Sequence, residues 1–186
     1  MTKKCIFATL LFAISFNSNL FAQEALKKGI YSLSGSITFT NSTNESKYDE
    51  TKSLDIFVSP ALTYFFIDNL SAGLSLSYGY YELTFKDKLR EVTYIQRPFS
   101  IGALVRYYIS STKFIPFVEA GYRYSNSING NEDMNTLSFA GGINYFLSKS
   151  VALEPYLEYK KTNYIVADQK ISGVSVGMRI NYFIVD

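Results

Sequence analysis

The sequence predicts an all-β fold: an eight-stranded antiparallel up-and-down transmembrane β-barrel with short periplasmic turns and longer extracellular loops. Three observations predict it. Apolar and polar residues alternate along the chain from about residue 29 to its end. The apolar face of the alternating segments carries no charged residue. Short and long connections take turns between those segments, as in barrels whose turns on one side of the membrane are brief and whose loops on the other are not.

Composition agrees. The 186 residues are 47% hydrophobic and 17% aromatic, with 16 Tyr and 15 Phe but no Trp and no His. The absence of His removes the commonest general base and metal ligand at neutral pH. No run after the N-terminus reaches the ~18 continuous apolar residues of a spanning helix. Crossing must therefore be done by strands.

Residues 1–22 read as a signal peptide. Lys3 and Lys4 form a basic start, 5–16 (CIFATLLFAISF) an apolar run, and cleavage is expected after Ala22. Cys5 precedes the apolar run, whereas a lipoprotein cysteine would follow it. Residues 23–186 then form the barrel domain, without cysteine, so disulfides, thiol catalysis and cysteine metal sites are excluded. Without Lys3 and Lys4, the basic residues equal the 16 acids in number. Such a neutral chain excludes nucleic acid as a partner.

The first segment, 29–40 (GIYSLSGSITFT), sets Tyr31, Leu33, Ile37 and Phe39 against Ser32, Ser34, Ser36 and Thr38. A period of two puts these sets on opposite faces of a strand. The second segment aligns Leu54, Ile56, Val58, Leu62 and Tyr64. Pro60 falls in its middle, and a local bulge is expected there. The third aligns Leu70 through Tyr80 against Ser71, Gly73, Ser75, Ser77 and Gly79, and the fourth Phe99 through Tyr107 against Ser100, Gly102 and Arg106. The fifth aligns Val118, Ala120, Tyr122 and Tyr124, and the sixth Leu137, Phe139, Ile143 and Tyr145. The seventh aligns Val151, Leu153, Leu157 and Tyr159, and the eighth Val174 through Tyr182. Short breaks fall at 66–69, 109–113 and 147–150; longer, charged ones at 41–52, 85–92, 126–135 and 161–169.

The second face is rich in Gly and Ser, which pack densely in a narrow space but make a poor soluble surface. It is expected to line the lumen, with the apolar face toward lipid. A soluble lipocalin-like carrier has the same strand count with the faces exchanged. Four tyrosines close the even-numbered segments: Tyr64, Tyr107, Tyr145 and Tyr182, each followed by a second aromatic. They are expected to form the periplasmic aromatic girdle, with ring bodies in lipid and hydroxyls in water. The inward charges Arg106, Glu119, Arg123, Glu154, Glu158 and Arg179 are expected to form a lumen charge network, because unpaired charge in a narrow interior is costly. Arg106, Glu119, Glu154 and Arg179 fall in its periplasmic half. Filling and gating both remain open as the role of these charges.

The stretches 106–125 (RYYISSTKFIPFVEAGYRYS) and 141–160 (GGINYFLSKSVALEPYLEYK), with the last segment, resemble the OmpA/OmpX-like family of small eight-stranded outer-membrane barrels. In that last segment Ser175, Gly177, Ile180 and Tyr182 fit the family's C-terminal assembly signal, although the chain runs on through FIVD. The resemblance implies residence in the outer membrane and reading of this strand by the outer-membrane assembly machinery. It also implies that the peptidoglycan-binding domain of larger members is missing. Expected partners are outer-membrane lipid and lipopolysaccharide, the latter through Lys86, Lys88, Arg90 and Arg97, and the chain is expected to be a monomer. No cofactor, metal or catalytic residue is expected. A structural or surface-interaction role is the leading expectation. The alternatives are a narrow low-conductance pore and a lipid-modifying enzyme, the latter disfavoured by the lack of His.

Overall fold

Strand periodicity closes into a ring. The computed structural model describes residues 24–45, 49–87, 90–109, 114–127, 130–165 and 168–185. The signal-peptide segment and Lys88 lie outside the described residues. The strands are β1 (Tyr31–Glu45), β2 (Asp49–Ile67), β3 (Leu70–Asp87), β4 (Glu91–Gln96), β5 (Pro98–Tyr108), β6 (Ile115–Ser127), β7 (Gly130–Phe146), β8 (Val151–Tyr164) and β9 (Gln169–Ile184). They form one antiparallel sheet in the order β2-β1-β9-β8-β7-β6-β5-β3-β4, and a β2–β3 ladder closes it. β4 and β5 both pair with β3 in one register, so they are two halves of a single stave and the barrel has eight. Arg97 and Pro98 interrupt that stave, since Pro98 has no N–H to donate.

The bulge expected at Pro60 is not there. Val58 pairs with Tyr78 and Ala61 with Ser75 in an unbroken register, so β2 and β3 lose two rungs without gaining a residue. A missing donor removes hydrogen bonds; it does not by itself insert length. The register shift in this ladder lies instead between Phe65 and Ile67, beside the Asp68–Asn69 turn. Asn69 adopts φ 64°, a left-handed conformation that Asn tolerates, and Asp68 Oδ1 accepts from the Lys28 amide at 2.8 Å.

The longer connections are mostly strand. β1–β2, β3–β4, β6–β7 and β8–β9 continue as hairpins through much of 41–52, 85–92, 126–135 and 161–169. Polar residues keep these ladders together above the membrane: Ser42 bonds Ser53 (2.8 Å), Thr84 bonds Thr93 (3.1 Å) and Asn126 donates to Asp133 (2.7 Å). Charge along the sequence marks these stretches as water-facing, and β-structure faces water as readily as a loop does.

The apolar face points outward. Ile37 is 77% exposed and Val176 82%, and Leu62, Leu74, Ile101, Val118, Phe139 and Leu157 are also exposed. A belt of large apolar side chains around a closed sheet has acyl chains, not water, as its fitting solvent. Ser32, Ser34, Thr63, Ser71, Ser75, Ser77, Ser100 and Ser125 are buried inside.

Candidate functional site

The interior is layered, and each layer follows from strand parity. At the periplasmic end the repeated tyrosine-plus-aromatic pair splits across the sheet. Tyr64, Tyr107 and Tyr182 are exposed on the outer wall, and Tyr145 is half-buried and stacked on Phe114 at 5.8 Å. Their followers Phe65, Tyr108, Phe146 and Phe183 turn inward and are buried. The four meet Phe117 in the lumen: Phe65 stacks on Tyr108 (5.6 Å), Phe146 on Phe183 (5.2 Å), and Tyr108 packs on Phe117 (6.1 Å). Ala25 and Leu26, on a short turn before β1, join this cluster from below. Backbone bonds hold the turn to the barrel floor, Gly29 to Phe65 and Asn69 to Leu26, both 2.8 Å.

Above this plug lies a square of charge. Arg106 faces Glu119 across the β5–β6 ladder, and Glu154 faces Arg179 across β8–β9. The two ladder pairs then join through the lumen. Arg106 donates to Glu119 through Nε at 2.7 Å and through Nη2, and to Glu154 Oε2 through Nη1 at 3.1 Å. Arg179 reaches Glu119 at 3.0 Å and Glu154 Oε1 at 2.8 Å. Each arginine touches both glutamates, and the square is neutral. Asn181 donates to Glu154 (2.6 Å) and to Asn144 (3.1 Å). Phe117 lies beneath both guanidinium groups, 5.0 Å from Arg106 and 5.6 Å from Arg179, at the joint between ionic and aromatic layers.

Above the square is a cavity of about 420 Å³, walled by hydroxyls such as Ser34, Ser59, Ser77, Ser100 and Ser125. Several bond each other across ladders: Ser59 with Ser77 (2.9 Å), Ser100 with Ser125 (2.7 Å), Thr136 with Thr162 (3.0 Å). Arg123 and Glu158 line this cavity rather than joining the square, and Glu158 is paired with Lys160 at 2.9 Å. Tyr156 crosses over Gly177, and Arg179 stacks on its ring at 4.3 Å. A Cβ on residue 177 would lie 2.5 Å from that ring, so the glycine is what lets the tyrosine cross.

Of the residues singled out in the sequence, Arg106, Glu119, Glu154 and Arg179 come together; Arg123 and Glu158 do not meet them. On β9, Ile180 and Tyr182 face outward, Gly177 lies under Tyr156, and Ser175 is exposed. Sequence reasoning missed the inward aromatics, Tyr156, and the bonding role of Asn144 and Asn181. One signal could have found the first: adjacent aromatics in a strand cannot both face lipid. No group of His, Cys, Asp and Glu fit to hold a metal ion occurs among the described residues.

Comparison with known proteins fits this architecture. The family described as outer membrane protein beta-barrel domain matches residues 8–182. The outer membrane protein OprG from Pseudomonas aeruginosa aligns with a TM-score of 0.56 at 14% identity, over 88% of this chain and 99% of its own. Neisserial surface protein A aligns with a TM-score of 0.50 at 14% identity, over 83% and 97%. At such identities the likeness is one of fold. No curated protein sequence matches the chain.

Proposed function

The chain belongs to the outer membrane protein beta-barrel domain family, and from that premise we propose that it is a non-enzymatic, non-conducting barrel of the outer membrane with a structural and surface-interaction role. The observation that carries this reading is the double closure of the interior. An eight-stranded barrel is narrow enough for side chains to fill, and here a neutral ionic square lies directly on an aromatic plug. Ions entering from outside would meet salt bridges, then rings.

The exposed hairpins are the surface on offer. The β3–β4 hairpin carries Lys86, Arg90 and Arg97, which approach lipopolysaccharide phosphates at the outer leaflet. Charge reversal there should reduce co-purifying lipopolysaccharide. The last strand delivers the chain to the assembly machinery through Ser175, Gly177, Ile180 and Tyr182, and the barrel works as a monomer. Enzymatic chemistry is disfavoured because the sequence holds no His and singles out no serine with a base.

A narrow pore is the second reading, favoured by the cavity that reaches down to Arg179 and Glu119. Planar-bilayer recording separates the two. The wild-type barrel should give no steady conductance; discrete openings in wild type, altered by Glu119→Ala or Glu158→Ala, would instead establish a gated channel.

A further inference from the structure

The barrel wall is unevenly sealed. β1 pairs with β2 over fifteen residue pairs and β8 with β9 over fourteen, but β1 and β9 share only five, from Tyr31↔Ile184 to Gly35↔Ile180. Above Gly35 no described residue of β1 pairs with β9. Spanning takes about 9–11 residues per strand, so the open edges begin well inside the apolar band. The most exposed large hydrophobics among the described residues line this gap: Ile37 (77%), Phe39 (65%), Val174 (65%) and Val176 (82%). Residues 169–176 of β9 are exposed on both faces.

Backbone groups left open to hydrocarbon cost several kcal/mol each, so the seam calls for a polar partner. Directly opposite is Arg123. Its strand, β6, is four places from β1 whichever way the ring is followed. Arg123 lies five residues above Val118, the partner of Tyr107, and Ser36 lies five above Tyr31, the partner of Tyr64. By residue count Arg123 therefore lies near the height of the gap, and it lines the cavity on that side. Its Nε is buried with no hydrogen-bond partner among the described residues.

We propose that the cavity receives a single-chain amphiphile with an acidic head group from the surrounding hydrocarbon, through the β1–β9 seam, and holds that head on Arg123. The head bonds the cavity hydroxyls and the open strand edge, while the tail stays outside along Ile37, Phe39, Val174 and Val176. An added strand from another protein or a second copy would satisfy the backbone edges but leave the Arg123 Nε without an acceptor. A cavity of about 420 Å³ suits one head group and the first carbons of one chain.

The probe is laurate carrying a 13C carboxyl, titrated into the full chain folded in phosphatidylcholine nanodiscs. Saturable binding is expected, weakened about tenfold or more in Arg123→Gln, as loss of a charged hydrogen bond implies, and largely kept in Arg123→Lys. Acetate should not displace laurate, and dodecanol should do so only weakly. A nitroxide on Val176→Cys, in a Cys5→Ser background, should broaden the tail resonances more than the carboxyl. Equal binding by Arg123→Gln, displacement by acetate, or a carboxyl broadened more than the tail each overturns the proposal. Saturable self-association that blocks laurate would overturn it in favour of a second copy at the seam. Heat-modifiable migration of every variant is checked first, so failure of the barrel reading shows before any laurate is added.

Discussion

Replacing Arg106 with Met tests whether the ionic square is a structural unit. Arg106 is 1% exposed and serves Glu119, Glu154 and the Tyr108 hydroxyl (3.0 Å) at once. Without it, Glu119 keeps only Arg179 at 3.0 Å, and Glu154 keeps Arg179 at 2.8 Å and Asn181 at 2.6 Å. Two carboxylates then share one guanidinium, and the enclosed square carries a net negative charge. Removing one partner of a buried ion pair costs about 3–5 kcal/mol. The same substitution paired with Glu119→Gln restores neutrality around Arg179 and Glu154, and most of the loss should return, because two members of one network do not add. Urea titration of the barrel in lipid vesicles, read by heat-modifiable migration, measures both. A solvent-facing control is Lys86→Ala, whose pair with Glu91 spans 3.8 Å between half-exposed side chains and should change stability by about 0–1 kcal/mol. The reasoning fails if Arg106→Met costs no more than that control, or if the double variant loses the sum of its two single losses.

Four other outcomes are expected. Gly73→Ala should abolish the folded species, because a Cβ there would lie 1.9 Å from the Leu62 carbonyl oxygen, whereas Gly35→Ala meets nothing within 4 Å and should fold normally; the gel shift distinguishes them. Val176→Lys, on the lipid face and six residues from the girdle, should cost about 2–4 kcal/mol in the same urea titration. Phe183→Ala should remove a fully buried ring from the plug and cost about 3–5 kcal/mol. With Arg106→Met added, bilayer recordings should show leak that neither change gives alone; a silent double variant would mean that closure lies elsewhere.

Much of this molecule is legible in its sequence because a strand has only two faces. Once Ile37 and Val176 are assigned to lipid, Ser36 and Gly177 must go inside, and the same parity brings Arg106 to Glu119 and Glu154 to Arg179. What alternation cannot express is contact across the lumen. Which charges meet depends on how ladders are staggered around the ring, so Arg123, two turns of the pleat above Glu119, reads like a member of the square and is not one. Aromatic residues are ambiguous in another way. Phe65 and Phe183 are as apolar as the residues facing lipid, and only their place directly after an outward tyrosine assigns them to the interior. Prolines mislead in a third way, for Pro60 and Pro98 erase rungs where an inserted residue would have shifted them.

The four tyrosine-plus-aromatic pairs place a constraint on how this gene can vary in length. Each pair encodes an outer anchor and an inner stopper in two consecutive codons, so deleting one residue within β5 would exchange their destinations, driving the Tyr107 ring into the bore and the Tyr108 ring out into lipid. Homologous barrels built on this plan should therefore gain or lose residues near these strand ends in twos, while the hairpin tips on the opposite side accept any number.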